Sequence, residues 1–177
     1  MRIATWNVNS LKARLPHVEQ WLEYARPDVL CMQETKLADD AFPVMPFNAL
    51  GYEVAFHGEG RCNGVAIASR VGLDDVVAGF REGPEGGPAE ARLMSATCAG
   101  VRVSSLYVPN GRSVDSEHYE RKLEWLAGVA RWLETTHKPS ERLALCGDFN
   151  IAPTDRDVYD PARFVGATHL SEPERRA

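Results

Sequence analysis

Short apolar runs alternate along the chain with stretches in which apolar residues recur every three or four positions. This alternation predicts a protein of mixed strands and helices. Residues Arg2 to Val8 form a β-prone run, and the apolar positions after it keep helical spacing, namely Leu11, Leu15, Val18, Leu22 and Ala25. Pro16 is tolerable only in the first turn of such a helix. Pro27 and Asp28 end the helix, and the nearly continuous apolar run VLCMQE, with Glu34 at its far end, predicts a strand covered on both faces.

The middle of the chain predicts two hairpins. The runs YEVAFHG and GVAIAS are joined by the turn-rich EGRCNG, and the runs ARLMSATC and VRVSSLYV are joined by Ala99 and Gly100. Between the two pairs, the Gly/Pro-rich segment REGPEGGP at residues 81–88 predicts a surface loop.

The last long helix and strand complete the pattern. Ser116 can cap a helix that ends before Pro139, with apolar positions at Tyr119, Leu123, Leu126, Ala130 and Leu133. In the stretch LALCGDFNIAP, from Leu143 to Pro153, an apolar strand is then predicted, with Asp148 and Asn150 where it should stop. The order of strand, helix, strand, two hairpins, helix and strand favours a mixed α/β sandwich over a parallel doubly wound sheet. A length of 177 residues without internal repeats predicts a single domain over residues 1–177.

Charge and hydropathy limit which kinds of molecule the protein is expected to bind. The net charge of −5 argues against broad, non-specific attraction to nucleic acid, so a polyanionic substrate would need a local basic patch or a metal. Such a patch could be formed by Arg112, Arg121 and Lys122, although the simpler interpretation of each residue is a solvated surface charge. No apolar run approaches the roughly 18 residues that cross a bilayer, and the amino terminus lacks a secretory signal. We therefore predict a cytoplasmic protein that does not bind membranes.

The four cysteines predict free thiols. Cys31, Cys62, Cys98 and Cys146 are widely spaced, and three of them stand in strand-like runs, which indicates neither a CxxC metal site nor a disulfide framework.

Polar residues stand at the carboxyl ends of four apolar runs. They are Asn7, Glu34, Tyr107 with Asn110, and Asp148 with Asn150. Side chains at strand ends of an α/β sheet can converge on one crevice although they are remote in sequence. Oxygen ligands without histidine or cysteine suit a hard cation such as Mg²⁺. The chemistry that this predicts is metal-assisted attack of water on a phosphodiester.

The roles of these residues stay open at this point. Glu34 is the leading candidate for a metal ligand, and Asp148 could orient or deprotonate the water or return a proton to the leaving oxygen. Tyr107, with an ordinary pKa of about 10, would be a neutral donor. Each residue also has a plainer interpretation: Asp148 and the asparagines as turn formers, Glu34 as a solvated acid at a strand end, and Tyr107 as a half-buried aromatic.

Five motifs in order, WNVNS, QETK, NGVAI, LYVPNG and GDFNIAP, resemble those of the exonuclease III family of abasic-site endonucleases, in the endonuclease/exonuclease/phosphatase superfamily. The resemblance extends over essentially the whole chain. It implies a four-layer α/β sandwich of the DNase-I-like type. It also implies hydrolysis of DNA phosphodiesters with Mg²⁺, or alternatively Mn²⁺, in base excision repair. The substrate would be double-stranded DNA, cut 5′ to an abasic site or from 3′ ends by an enzyme that is monomeric at full length.

The motif match carries functional residues onto this chain. The implied metal-site residues are Asn7, Glu34, Asp148 and Asn150. The implied catalytic residues are Tyr107, Asp148 and Asn150, with the last as a transition-state stabiliser. Asn110 and Arg112, next to the tyrosine, are implied as contacts to DNA.

The end of the chain carries a further expectation. The segment SEPE fits a helix-capping box with an early proline, yet only three residues follow it. Members of the family continue beyond this point with further strands, an aspartate and an Asp-His pair. We therefore expect the amino-terminal two-thirds of such an enzyme, an incomplete sandwich whose C-terminal strands and helices are missing, with little or no nuclease activity by itself. His169 precedes the capping box and is expected to be a surface histidine in a loop.

Two other functions fit the same residues. One is a phosphoesterase of the same superfamily that acts on inositol phosphates or sphingolipids, and the other is a non-catalytic domain that binds a partner or nucleic acid. QETK and YVPNG favour the DNA-repair branch, and intact Glu34, Asp148 and Asn150 argue against loss of the site.

Overall fold

A computed structural model describes residues 1–80 and 90–177, so the surface loop predicted at residues 81–88 lies outside the described residues. The strands in this part of the chain are β1 Ile3–Asn7, β2 Val29–Gln33, β3 Glu53–His57, β4 Val65–Ser69, β5 Asp74–Ala78, β6 Leu93–Cys98, β7 Val101–Tyr107 and β8 Leu143–Asp148. The helices are α1 Leu11–Ala25, α2 Val44–Ala49, α3 Glu117–Thr136 and α4 Glu172–Arg176.

The chain divides into two compact units. The first unit is formed by Met1–Tyr107 with Pro139–Asp148 and contains all of these strands together with α1 and α2. The second unit is formed by Val108–Lys138 with Phe149–Ala177 and contains α3 and α4. A single domain over residues 1–177 stays a prediction.

The first unit is built on two four-stranded sheets. One sheet has the order β1-β2-β4-β3 and the other the order β5-β6-β7-β8. Both predicted hairpins form as antiparallel pairs, β3 with β4 and β6 with β7. Each sheet also holds one parallel pair, β1 with β2 and β7 with β8. The predicted mixed α/β architecture is therefore confirmed, and the two parallel pairs decide where the site forms.

Two apolar clusters hold the first unit together. On one side of the first sheet, the buried face of α1 packs with α2 against side chains of β2 and β4, and this cluster includes Leu11, Val18, Leu22, Leu30, Phe47 and Ala68. On the other side, residues of β2 and β4 meet those of β6 and β7, including Cys31, Ile67, Ala96 and Val103. All five residues of β2 are buried, as its continuous apolar run predicts for a strand covered on both faces.

Some details of the first unit differ from the sequence predictions. Neither β5 nor α2 was expected. β5 is an edge strand with mostly exposed residues and a register shift between Asp74 and Val77, so it lacks the alternation that marks a half-buried strand. Pro16 lies inside α1, in its second turn rather than its first, because the helix begins at Leu11.

In the second unit, α3 is the predicted capped helix. The Ser116 side chain accepts a hydrogen bond from the Tyr119 amide, and the helix ends at Thr136, before Pro139. The buried face differs from the prediction, because the buried residues are Tyr119, Lys122, Leu126, Gly128, Val129 and Trp132. Leu123 and Leu133 are half-buried, and Ala130 is exposed. The predicted helical period was thus correct. The buried face, however, is shifted by about one residue from the predicted apolar positions, and Lys122 occupies one of its buried positions.

The segment after Leu170 forms the predicted capping box. The Ser171 side chain accepts from the Glu174 amide while the Glu174 carboxylate accepts from the Ser171 amide, and the short helix α4 follows. The side chains of Lys122 and Glu174 form an ion pair in which both are fully buried. The interpretation of Lys122 as a solvated surface charge was therefore wrong, because its charge is neutralised inside the unit. Among the described residues, none of the helices has both the length and the apolar character to cross a membrane.

Candidate active site

The two parallel strand pairs of the first unit present their carboxyl ends with polar side chains. Asn7 ends β1 in register with Gln33 at the end of β2, and Glu34 follows directly. Tyr107 ends β7 in register with Asp148 at the end of β8. Each pair thus delivers one acid together with one neutral polar residue at the same edge of its sheet.

The Asn7 side chain joins the two acids. Its amide nitrogen Nδ2 donates to Glu34 Oε1 at 2.7 Å and to Asp148 Oδ2 at 2.8 Å. Its oxygen Oδ1 accepts from the Asn9 amide at 3.0 Å, which fixes which end of the side chain faces the acids. The structure therefore brings together Asn7, Glu34 and Asp148, which are separated by up to 141 positions in the sequence.

The Glu34 carboxylate has further partners. Lys36 Nζ lies 2.9 Å from Glu34 Oε2 and also donates to Asn9 Oδ1 at 2.6 Å. Burial raises the pKa of the Glu34 carboxyl, but hydrogen bonds from Asn7 and Lys36 and the charge of Lys36 lower it. A hydrogen bond from the Tyr107 phenol adds to this effect, and the pKa of Glu34 lies below its usual value. Glu34 is therefore an anion at neutral pH.

Tyr107 is a neutral donor in this environment. Burial, followed by the negative charge of Glu34 and its hydrogen bond, raises the pKa of Tyr107 to about 12. The Arg92 guanidinium lies 4.8 Å from the centre of the Tyr107 ring and donates to the Tyr107 carbonyl oxygen at 3.3 Å. Glu90 pairs with Arg92 on its other side. Arg92 thus fixes both the ring and the backbone of the tyrosine.

The loop that carries Glu34 is held in an unusual backbone conformation. Glu34 has a φ of 54° and Lys36 a φ of 52°, both in the left-handed region. The Ser10 amide donates to the Glu34 carbonyl at 2.7 Å, and the Thr35 amide donates to the Gly64 carbonyl at 3.1 Å. Gly64 has a φ of +92°, and a Cβ at this position would lie 2.1 Å from Thr35 Oγ1. The glycine of NGVAI is therefore required by the close approach of the QETK loop.

A buried polar link supports the ends of β2 and β7. Gln33 Nε2 donates to Ser105 Oγ at 3.0 Å, and Ser105 Oγ donates to the Met32 carbonyl at 3.1 Å. Both side chains are buried, so these hydrogen bonds form away from competing water. The link holds the strand ends that carry Glu34 and Tyr107.

The remaining predicted site residues belong to the second unit. Asn110 Nδ2 donates to Asn150 Oδ1 at 3.3 Å, and Asn150 Nδ2 donates to the Val108 carbonyl at 2.8 Å. Asn110 Oδ1 accepts from the Arg112 amide at 3.1 Å, while Arg112 itself is exposed. The structure thus brings Asn110 and Asn150 together within this unit.

His169 lies in a turn, as predicted, but it is less exposed than a surface histidine. It is half-buried, has a φ of 79°, and its Nδ1 lies 2.5 Å from the Asn150 carbonyl oxygen. Its own carbonyl accepts from the Ala152 amide at 2.8 Å. Two contacts to the segment after β8 therefore hold it in place.

Sequence reasoning missed several residues that contact the site. Lys36 stands in the quoted motif QETK, and its position two residues after Glu34 was a signal that could have found it. Arg92 and Ser105 gave no such signal, because their partners are 15 and 72 positions away in the chain.

The donor set of the first unit fits Mg²⁺. Two carboxylates lie on one amide nitrogen, that of Asn7, and Mg²⁺ is commonly bound by one or two carboxylates with water and phosphate oxygens completing its octahedron. No group of three or more His, Cys, Asp or Glu side chains placed to share a metal ion occurs within residues 1–80 and 90–177.

The two facing mixed sheets, with an oxygen-rich cluster at the ends of their parallel strands, define an α/β sandwich of the DNase-I-like type. The chain belongs to the endonuclease/exonuclease/phosphatase family, whose family model matches residues 4–174. This confirms the resemblance inferred from the five motifs.

Individual relatives agree with this assignment. The solved structure of an AP endonuclease from Archaeoglobus fulgidus matches with a TM-score of 0.94 and 41% identity, covering 99% of this chain and 67% of that one. The 3′ phosphatase NExo from Neisseria, bound to a product DNA hairpin, matches with a TM-score of 0.91 and 40% identity over 99% of this chain and 68% of its own. Exodeoxyribonuclease III from Haemophilus influenzae is 32% identical over 163 residues, which are 89% of this chain, and the chain spans 60% of the length of that relative.

Proposed function

We propose that the chain carries most of the active site of a repair nuclease that hydrolyses phosphodiester bonds of double-stranded DNA at abasic sites and 3′ ends with Mg²⁺, or alternatively Mn²⁺, and that the chain by itself has weak activity or none. The observation that carries the proposal is the contact of one amide, Asn7 Nδ2, with the carboxylates of both Glu34 and Asp148. The names of the relatives, an exodeoxyribonuclease, an AP endonuclease and a 3′ phosphatase, support DNA as the substrate.

Glu34 and Asp148 are the residues of the first unit that would hold the metal, and Asn7, whose amide nitrogen faces both carboxylates, would position them. When bound, Mg²⁺ supplies positive charge that stabilises negative charge on the phosphoryl oxygens. Glu34 is suited to this role because its pKa is lowered, so it presents an anion over the whole neutral range. Asn7 separates the two carboxylates and limits their mutual repulsion by donating to both.

Asp148 and Tyr107 are proposed to act on the reacting groups. Asp148 accepts a proton from the attacking water or returns one to the leaving oxygen, and its place beside Tyr107 in the β-ladder puts both at one edge. Tyr107 contacts the phosphate as a hydrogen-bond donor, because a pKa of about 12 keeps the phenol protonated at neutral pH. Asn150 is proposed as a further metal-site and transition-state contact, with Asn110 and Arg112 as contacts to DNA.

Cleavage of a labelled duplex that contains one abasic-site analogue tests this function. Any incision by the chain should be slow, should require Mg²⁺, and should be lost in Glu34→Gln and in Asp148→Asn. Glu23→Gln, which changes an exposed acid on α1, is the matched control and should cut like the unaltered chain. The same assay measures how much activity the chain has by itself, and so tests the expectation that this activity is low.

A second readout does not depend on turnover. Isothermal titration with Mg²⁺ and with Mn²⁺ should give one saturable binding event that Glu34→Gln and Asp148→Asn weaken and Glu23→Gln leaves unchanged. Binding that is equal in all four proteins would contradict the assignment of the metal-holding residues. Release of phosphate from inositol phosphates without incision of DNA would favour the lipid-directed branch of the superfamily.

A further inference from the structure

The second unit contains a buried ion pair that the proposed chemistry does not use. The side chains of Lys122, on α3, and Glu174, on α4, are both 0% exposed and in direct contact. Taking a lysine and a glutamate out of water is costly, and apolar residues of similar size often serve stability equally well. A buried pair of this kind therefore needs an explanation other than stability.

The contacts of the ammonium group give that explanation. Besides Glu174, Lys122 Nζ donates to the Asn150 carbonyl oxygen at 2.6 Å and reaches the Asn110 carbonyl oxygen at 3.4 Å. An ammonium group has three donors and no acceptor, so these three oxygens match its full capacity. The two carbonyls belong to two different loops, one after β7 and the other after β8.

Both ends of the ion pair are themselves fixed. The Glu174 carboxylate accepts from Ser171 Oγ at 2.7 Å and from the Ser171 amide at 3.1 Å. The stem of Lys122 packs against Gly111, because a Cβ at that glycine would lie 3.0 Å from Lys122 Cδ. The φ of +85° at Gly111 lets the chain turn closely around the lysine.

We propose that Lys122 is a positioning residue: its buried ammonium, fixed by Glu174, holds the backbones of Asn110 and Asn150 so that their side-chain amides keep one spacing and orientation. The two amides are 3.3 Å apart, and Asn150 Nδ2 is further tied to the Val108 carbonyl. This inference rests on the proposed function, in which both asparagines contact the substrate or the metal. An apolar pair would fill the same volume but would leave both carbonyls without this donor.

Nuclear magnetic resonance of the unaltered chain gives the first test. A lysine ammonium held by three acceptors exchanges its protons slowly, so Lys122 should give a resolved NH₃⁺ signal at neutral pH and room temperature. That signal should show a through-hydrogen-bond coupling to the carbonyl carbon of Asn150. A Lys122 ammonium that exchanges as fast as that of the other lysines would overturn the proposal without any variant.

The variant Lys122→Met/Glu174→Met gives the second test. It replaces the pair by apolar side chains of similar length, which preserves volume while it removes the Lys122 ammonium from both carbonyls and leaves the Asn150 carbonyl with its contact to His169 Nδ1. We expect a folded protein whose backbone amides at residues 110–112 and 150–152 exchange about tenfold faster, with α3 amides unchanged. If this variant folds and neither the exchange of these backbone amides nor the side-chain signals of Asn110 and Asn150 change, the proposal is contradicted.

Two further variants complete the design. Lys122→Arg keeps a buried cation with several donors and should retain most of the protection at both asparagines. Arg175→Met removes the neighbouring exposed pair of Arg175 with Asp155, whose atoms lie 2.6 Å apart, and should leave both asparagines unchanged. If the double variant fails to fold, the ammonium signal and the comparison of Lys122→Arg with Arg175→Met still test the positioning role of Lys122.

Kinetics separate this inference from the proposed function. On the abasic-site duplex, the double variant should lower kcat by about 10- to 100-fold, the scale of effect expected when reacting groups are misplaced. The KM for DNA should rise as well, because the double variant also loosens Asn110, which is proposed to contact DNA. If the unaltered chain does not cut DNA, the Mg²⁺ titration tests the proposed function, while the resonance and exchange measurements test the positioning role.

Discussion

Asn7 shows why the site needs an amide between its two acids. Two carboxylates that lie close together repel each other. The Nδ2 group of Asn7 donates to both, at 2.7 Å and 2.8 Å, and so offsets part of this repulsion. Asparagine is isosteric with aspartate, so a single substitution can test this reasoning.

Asn7→Asp should lower the free energy of unfolding by about 1–3 kcal/mol in the absence of divalent cations, because it replaces two hydrogen bonds by repulsion among three carboxylates. Mg²⁺ should restore more stability to this variant than to the unaltered chain, because the extra charge strengthens cation binding. Urea unfolding with and without Mg²⁺ measures both effects. Asn48→Asp, at an exposed position of α2, is the control. Equal stability of Asn7→Asp and the unaltered chain without Mg²⁺ would show that the amide does not separate the acids.

Gly64 gives a second prediction at the scale of the residue. Gly64→Ala should lower the free energy of unfolding by about 1–3 kcal/mol more than Gly60→Ala does, and it should weaken Mg²⁺ binding because it moves the Glu34 loop. Both glycines have positive φ, +92° and +102°, but only at Gly64 would a Cβ meet another atom, Thr35 Oγ1 at 2.1 Å. Chemical unfolding and Mg²⁺ titration of the two variants check this. Equal losses in both variants would show that backbone conformation, and not the contact with Thr35, makes the glycine necessary.

Site residues at strand ends could be predicted from the sequence, whereas buried polar residues with distant partners could not. Asn7, Glu34, Tyr107 and Asp148 each follow an apolar run, so strand ends alone indicated them. Lys122 and Gln33 break the apolar pattern from within, and their partners, Glu174 and Ser105, lie 52 and 72 positions away. A buried polar residue is understood only through its partner, and the pattern of one sequence does not pair them.

At the scale of elements, periodicity predicted what is half-buried and failed where burial is unusual. The helices α1 and α3 and both hairpins were predicted, because each has one apolar face or a clear turn. The edge strand β5 was missed because its residues are mostly exposed. The buried face of α3 was misplaced because a paired lysine occupies a position that the pattern assigns to apolar residues.

The start of α3 gives a prediction at this scale. Ser116→Ala should lower the free energy of unfolding by about 1 kcal/mol, because the Ser116 hydroxyl caps the Tyr119 amide and also donates to the Gly111 carbonyl at 2.9 Å. Ser113→Ala, in the exposed loop before the helix, should change stability by less than half as much. Thermal or urea unfolding of both variants measures the difference. Equal free energies of unfolding for the two variants would mean that water replaces the hydrogen bonds of the Ser116 cap without loss of stability.

At the scale of the whole molecule, the net charge of −5 and the proposed polyanionic substrate are reconciled by local arrangement. The two acids of the first unit are positioned to hold a cation, while the buried Lys122 is neutralised by Glu174 and adds nothing to the surface charge. Attraction to DNA is therefore expected to depend on Mg²⁺ more than on exposed lysines and arginines.

The buried ion pair makes the stability of the chain depend on pH. Burial raises the pKa of Glu174, but hydrogen bonds from Lys122, Ser171 and the His169 backbone, with the charge of Lys122, leave it below its usual value. A carboxyl whose pKa is lowered on folding stabilises the fold above its unfolded pKa, about 4.5, and this stabilisation is lost as pH falls through the folded value. We therefore expect the free energy of unfolding to fall below about pH 4.5, with a smaller slope in Lys122→Met/Glu174→Met.

Glu174→Gln removes the carboxylate whose charge makes the free energy of unfolding depend on pH. It leaves the Lys122 ammonium buried without a charged partner, so the free energy of unfolding at pH 7 should fall by about 3–5 kcal/mol, whereas the double methionine variant should lose much less. The loss in Glu174→Gln relative to the unaltered chain should shrink as the pH is lowered, because protonation removes the same charge from the native carboxylate. Urea unfolding at pH 7, 5 and 4 of the three proteins, with Glu172→Gln at an exposed position as control, measures each step. A loss in Glu174→Gln that stays constant down to pH 4 would mean that Glu174 carries no lowered pKa in the folded protein.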